Sequence, residues 1–334
     1  MHIQQVYVRA DTGGKVSKRG SASPVLRSLR VIASGLRRFA YGHRRDVTQI
    51  TRPRVGLALG GGFARGIAHV GVLKVLVENG IPIDALAGVS AGSLAAAGFA
   101  SGCAIEEMVA AARSLRWNRV GRWTFSRLGF ATSERMESLL RGFLHCQTFE
   151  HLKIPLAIVA ADILTGEAVT FRAGNLALAV RASCSFPGLF VPVKYGPRLL
   201  VDGAIITAVP VAALQSMDVD ITVGVHMTAE GRLPPPTNLF QIVSESFQII
   251  HNHNESQWRN RSDLVIEPNV HGIRWDEFTS ADRLIAAGEA AARAVLPSLR
   301  RLLQARTAPA PRPARTTFRR TPLIFQPSGR TEKV

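Results

Sequence analysis

No stretch of this 334-residue chain reaches about 18 uninterrupted apolar residues, so no membrane-spanning helix is expected. The N-terminus also lacks the charged and apolar regions of a secretory signal. Cysteine is scarce. Cys103, Cys146 and Cys184 are odd in number and without metal-ligand spacing, which excludes a disulfide scaffold and leaves buried free thiols in a reducing compartment as the expectation. Acidic residues are short as well, 24 against 41 Lys and Arg, for a net charge of +17. The shortage is local: residues 1–50 hold ten Lys or Arg and two Asp, and residues 300–334 hold nine and one Glu, so only +1 remains on 51–299. A near-neutral centre argues against nucleic-acid binding through a basic folded face. The 46% hydrophobic composition is that of a globular chain.

The charge therefore belongs to two extensions, 1–50 and 305–334, flanking a central domain over 51–304. In the first, Ser23-Pro24 is a helix-start signal. Val25, Leu29, Ile32, Leu36 and Phe39 share one helical face over 24–40, and Arg27, Arg30, Arg37 and Arg38 fall opposite, with Val31 as a misfit. Such a helix suits the surface of an anionic bilayer; packing on its own domain and an organelle-targeting role are the alternatives. The Pro- and Arg-rich C-terminal extension reads as disordered.

The centre alternates apolar strand-like runs with helical periodicity. Strands are expected at 55–59, 85–89, 154–161 and 221–225, with extended stretches at 167–171 and 191–201. Helices are expected at 67–78, after Ser90 through Ala100, and at 105–116, 133–144, 238–251 and 280–304. This alternation predicts an α/β fold with a mostly parallel sheet covered on both faces.

Two motifs sit at strand-to-helix junctions. Gly60-Gly61-Gly62-Phe63-Ala64-Arg65-Gly66 follows the first strand, and Gly88-Val89-Ser90-Ala91-Gly92 ends the second. A serine in G-x-S-x-G marks a nucleophile elbow, with Gly88 and Gly92 relieving the crowding of a tight turn. An upstream glycine loop can aim N–H groups at a developing oxyanion. The loop fits dinucleotide binding less well, because G-x-G-x-x-G meets Arg65 or Phe63 where glycine is required, and the Lys-Ser/Thr ending of a phosphate-binding P-loop is absent.

The serine needs a base. His226, just past a strand, keeps a Ser-His-Asp triad open, while Asp202 in Val201-Asp202-Gly203-Ala204 is a candidate for direct carboxylate catalysis or a simple turn aspartate. His69 reads as a packed histidine and Asp162 as a loop-fixing carboxylate. His251, His253 and Asn254 lack a further metal ligand. Trp117, Trp123, Phe125 and Phe130, set among arginines, form either a lid, a lipid-facing surface or a packed loop.

In this order the chain resembles the patatin-like phospholipases, serine lipid acyl hydrolases with a Ser-Asp dyad. The resemblance runs through Gly60-Gly61-Gly62 with Arg65-Gly66, Gly88-x-Ser90-x-Gly92, Ala182-Ser183 with Pro187, Phe190 and Pro192, and Asp202-Gly203-Ala204 with Pro210, covering about 54–300. It implies a three-layer α/β/α sandwich, Ser90 as nucleophile, Asp202 as base, and an oxyanion hole from the glycine loop (Gly60, Gly61, Gly62). It also implies Arg65 fixing that loop or meeting substrate phosphate, and no metal or organic cofactor. Phospholipid or lysophospholipid substrates, and a cytoplasmic protein peripherally bound to an anionic membrane, are expected. An inactive membrane-associated regulatory protein of the same fold is the alternative. Two departures stand out: Phe63 replaces a common glycine, and Ala204 replaces a glycine at a position where positive φ would strain it.

Overall fold

A computed structural model describes residues 52–228, 235–236 and 239–307. The amphipathic segment expected at 24–40 and the Pro/Arg-rich segment beyond Thr307 lie outside the described residues.

Eleven strands are found among these residues: β1 (Val55–Leu59), β2 (Ala85–Val89), β3 (Arg122–Ser126), β4 (Gly129–Thr132), β5 (Leu156–Asp162), β6 (Ala168–Phe171), β7 (Gly188–Phe190), β8 (Val193–Tyr195), β9 (Arg198–Asp202), β10 (Ile221–Val225) and β11 (Leu264–Ile266). The longer helices are α1 (Ala68–Glu78), α2 (Ala91–Ser101), α3 (Ile105–Ser114), α4 (Glu134–Phe143), α5 (Leu176–Ser183), α6 (Leu239–His253) and α7 (Ala281–Thr307). β11, β10, β1, β2 and β5 run parallel in that order, and β6, β9 and β8 add antiparallel pairings.

β1, β2, β5 and β10 are buried along their whole length, as strands sandwiched between two layers must be. Their alternation sorts side chains by size. Leu57, Leu59, Leu86 and Ile158 join the large core that also holds α1 and α7, while Ala58, Ala85, Ala87 and Ala157 face the short helices at Val211–Leu214 and Glu255–Arg259. The protein is thus a mixed α/β fold with a mostly parallel central sheet and helices on both faces.

Several boundaries differ from expectation. The stretch 191–201 is a hairpin, β8 and β9, turned at Gly196 with φ 58°. The last helix continues through Thr307, so residues 305–307 are helical rather than part of a tail. Residues 122–132 form the hairpin of a second, three-stranded sheet with β7. No described helix is long and apolar enough to cross a membrane.

The register around β5 positions the site. Ile158 and Val159 pair with both β2 and β6, while Ala160 and Ala161 pair with both β6 and β9. A strand has two edges, so β2 and β9 share the one opposite β6. β9 therefore continues where β2 stops: Val89 lies opposite Val159, and Asp202 lies opposite the next residue, Ala160. The residue after Val89 is Ser90.

Candidate active site

Ser90 sits between β2 and α2 with φ 51° and ψ −128°, a conformation that L residues avoid. The flanking glycines explain how the turn is tolerated. A Cβ on Gly92 would lie 2.1 Å from the Leu59 carbonyl oxygen, and one on Gly88 would lie 2.5 Å from Ser93 Cα. The elbow is held by hydrogen bonds: the Ser90 N–H donates to Ser183 Oγ at 2.9 Å, and the Ser93 N–H and hydroxyl both donate to the Ser90 carbonyl.

The structure brings Ser90 and Asp202 together. Ser90 Oγ donates to Asp202 Oδ2 at 2.6 Å, and Asp202 Oδ1 accepts from the Ala204 N–H at 2.9 Å. Both side chains are buried. Burial raises the Asp202 carboxyl to a pKa of about 7, against the opposing pull of its hydrogen bonds from Ser90 and Ala204. Such a group is shared between acid and carboxylate near neutrality, which suits it to both take and return a proton. Ala204 lies in a 3-10 turn with no positive φ, so the strain expected there does not arise.

The glycine loop runs beside the serine, with a Cβ on Gly61 placed 3.5 Å from Ser90 Cβ. The expectation that Gly60, Gly61 and Gly62 all offer N–H groups needs correction. The Gly60 N–H donates to the Val225 carbonyl at 3.0 Å and the Gly61 N–H to the Ala208 carbonyl at 3.2 Å. Among the described residues, the N–H groups of Gly62 and Phe63 have no acceptor. Phe63 keeps a left-handed φ of 50° despite its side chain, at roughly 1–2 kcal/mol. Its ring packs on Trp275, Phe278 and Trp117, an offsetting gain that glycine lacks. Sequence reasoning passed over the Phe63 amide because it looked for glycines.

Two cavities meet at Ser90 and Phe63. The larger, of about 350 Å3, is walled by Leu94, Met108, Ala112, Met136, Leu139, Phe143 and Phe190 and is predominantly apolar. The smaller, of about 90 Å3, is lined by Asp202, Arg65, His226, Gln248 and His251. Arg65 Nε donates to the Ile273 carbonyl at 2.8 Å, tying the glycine loop to the segment before α7, and burial lowers its pKa.

No histidine among the described residues bonds to Ser90 or Asp202. His226 is held neutral, its pKa lowered to about 4 by burial. His251 bonds through Nε2 to the Ala204 carbonyl. His69 is fully buried, its Nε2 2.8 Å from the Gly60 carbonyl, so it braces the glycine loop from behind. Asp162 Oδ1 accepts from the Leu164 and Leu199 N–H groups, a loop-fixing arrangement. Cys103, Glu107 and His145 form a cluster of metal-ligand types, but Glu107 caps α3 at the Ala104 N–H and the Cys103 thiol donates to the Phe143 carbonyl.

A buried serine and carboxylate meet at the carboxyl edge of a mostly parallel sheet, where sites form in open α/β folds. Residues 57–214 match the family model of the patatin-like phospholipases, and the chain carries a domain of that family. Curated relatives include uncharacterized NTE family proteins of Mycobacterium tuberculosis. One is 33% identical over 270 residues, covering 72% of this chain and 46% of the relative. Another is 36% identical over 178 residues, covering 52% and 49%. The chain thus spans about half the length of these relatives. Lysophospholipase NTE1 of Cryptococcus neoformans is 30% identical over 183 residues, covering 52% of this chain and 11% of that protein. Among solved structures, VipD from Legionella pneumophila shares the fold with a TM-score of 0.51 at 14% identity, covering 74% of this chain and 67% of its own.

Proposed function

We propose that this protein is a serine acyl hydrolase that cleaves carboxylic ester bonds of glycerophospholipids or lysophospholipids through an acyl-enzyme at Ser90. The observation that carries the reading is the 2.6 Å contact between Ser90 Oγ and Asp202 Oδ2 at the junction of the two cavities. The larger, apolar cavity takes the acyl chain. The smaller one takes the alcohol side, with Arg65 beside the phosphate.

In this reading Ser90 Oγ attacks the acyl carbonyl as its proton passes to Asp202. The negative charge on the carbonyl oxygen is met by the N–H groups of Gly62 and Phe63 and by the N-terminus of α2. As the tetrahedral intermediate collapses, Asp202 returns the proton to the departing alcohol oxygen. Water then gives a proton to Asp202 and attacks the ester, and Asp202 protonates Ser90 as the fatty acid leaves. A family member with a dead site acting as a regulator is disfavoured by the intact pair. Lipid hydrolysis profiling of the wild type beside Ser90→Ala tests the proposal: fatty acid release should vanish in the variant, and equal release from both would refute it.

A further inference from the structure

Beside the larger cavity, the β3–β4 hairpin presents large apolar side chains to solvent. Trp123 and Leu128 expose 61% and 59% of their surface, and Phe125 is fully exposed. Scattered exposed apolar residues are ordinary, but three within six positions of one protruding turn form a patch that calls for a partner. The same segment concentrates positive charge. Arg113, Arg116, Arg119, Arg122 and Arg127 lie between Glu107 and Glu134 with no acidic residue among them. Arg113 is paired with Asp282, whereas Arg122 comes only within 3.9 Å of Glu134 and Arg127 forms no ion pair among the described residues.

The hairpin is joined to the cavity. β4 runs alongside β7 with Ala131 opposite Phe190, and Phe190 walls the larger cavity together with Arg119 and Val120. A projecting apolar tip, aromatic and flanked by Arg122 and Arg127, matches a fluid anionic surface better than a rigid groove.

We propose that the β3–β4 hairpin is a membrane-docking element. Trp123, Phe125 and Leu128 enter the headgroup and upper acyl region of an anionic bilayer, and Arg122 and Arg127 meet lipid phosphates. Docking holds the wall of the acyl cavity against the lipid surface. This deepens the proposed lipid hydrolysis but is tested apart from it.

The test measures vesicle binding by the full chain carrying Ser90→Ala, so that lipid stays intact. Vesicles of equal parts phosphatidylcholine and phosphatidylglycerol are compared with pure phosphatidylcholine. Phe125→Asp with Leu128→Asp should weaken binding to the anionic vesicles at least about tenfold. Arg122→Gln with Arg127→Gln should weaken it roughly fivefold per arginine and flatten its salt dependence. In the chain with Ser90 intact, both pairs should leave turnover of a water-soluble short-chain ester unchanged. Loss of turnover here would indicate misfolding. Should the aspartate pair not fold, Trp123→Phe decides: brominated acyl chains should quench tryptophan emission in the parent chain and much less in this variant. Binding and quenching equal to the parent in the variants would overturn the proposal and leave membrane attachment to the basic N-terminal segment. Altered self-association with unchanged vesicle binding would overturn it in favour of a contact between copies of the chain.

Discussion

The Ser183 hydroxyl ties the elbow to the sheet: it accepts the Ser90 N–H at 2.9 Å and donates to the Val159 carbonyl at 2.6 Å. Three segments distant in sequence thereby fix the strained backbone of one residue. Ser183→Ala leaves a buried N–H without an acceptor. It should cost about 1–3 kcal/mol of stability and lower kcat with little change in KM. Denaturant unfolding and short-ester kinetics check both; unchanged kcat would mean that the elbow holds its geometry unaided.

Asp202 should set the acid limb of the rate profile. Only its carboxylate form accepts the Ser90 proton, so kcat/KM should rise with pH and level off above about 7. Asp202→Asn should lose at least ~100-fold in rate. His226→Ala should retain turnover, because burial already keeps that ring neutral and it does not touch the serine. The opposite pattern would replace the dyad with a triad.

The same carboxyl makes a stability prediction. Its folded pKa, about 7, lies above the roughly 3.9 of an unfolded aspartate. Between these values the folded chain keeps a proton that the unfolded chain releases, so this group's contribution to stability falls as pH rises through that window. Asp202→Asn should therefore raise Tm relative to the wild type more at about pH 8 than at about pH 4. Equal shifts at both would mean that the carboxylate is solvated in the folded chain.

Ala112 on α3 lines the apolar cavity, and a phenyl ring there would occupy space that the proposal gives to the acyl chain. Ala112→Phe should reduce kcat/KM for long-chain esters at least about tenfold relative to short ones. A uniform drop across chain lengths would place the acyl chain elsewhere.

Gly92→Ala brings a methyl group against the Leu59 carbonyl, so β1 must move to admit it. A loss of about 1–3 kcal/mol is expected, with activity falling alongside Tm.

Much of this arrangement was legible in the chain. Continuous apolar runs give β1, β2, β5 and β10, since strands buried on both faces need no alternation. Glycines around Ser90 announce a turn that crowds its neighbours. Other features depend on partners far away in sequence. The carbonyls of Val225 and Ala208 occupy the Gly60 and Gly61 amides, and no local pattern states that. The β3–β4 hairpin escaped because Arg122–Ser126 is exposed nearly throughout, so it lacks the alternation of a half-buried strand. The approach of Asp202 to Ser90 follows from two strands sharing one edge of β5, a register that the sequence of either strand alone cannot specify.

The most direct measurement is mass-spectrometric mapping of an active-site fluorophosphonate adduct on the intact chain. The account predicts a single adduct on Ser90, absent in Ser90→Ala and formed much more slowly in Asp202→Asn. An adduct on a different residue, or lipid hydrolysis that persists in Ser90→Ala, would contradict it.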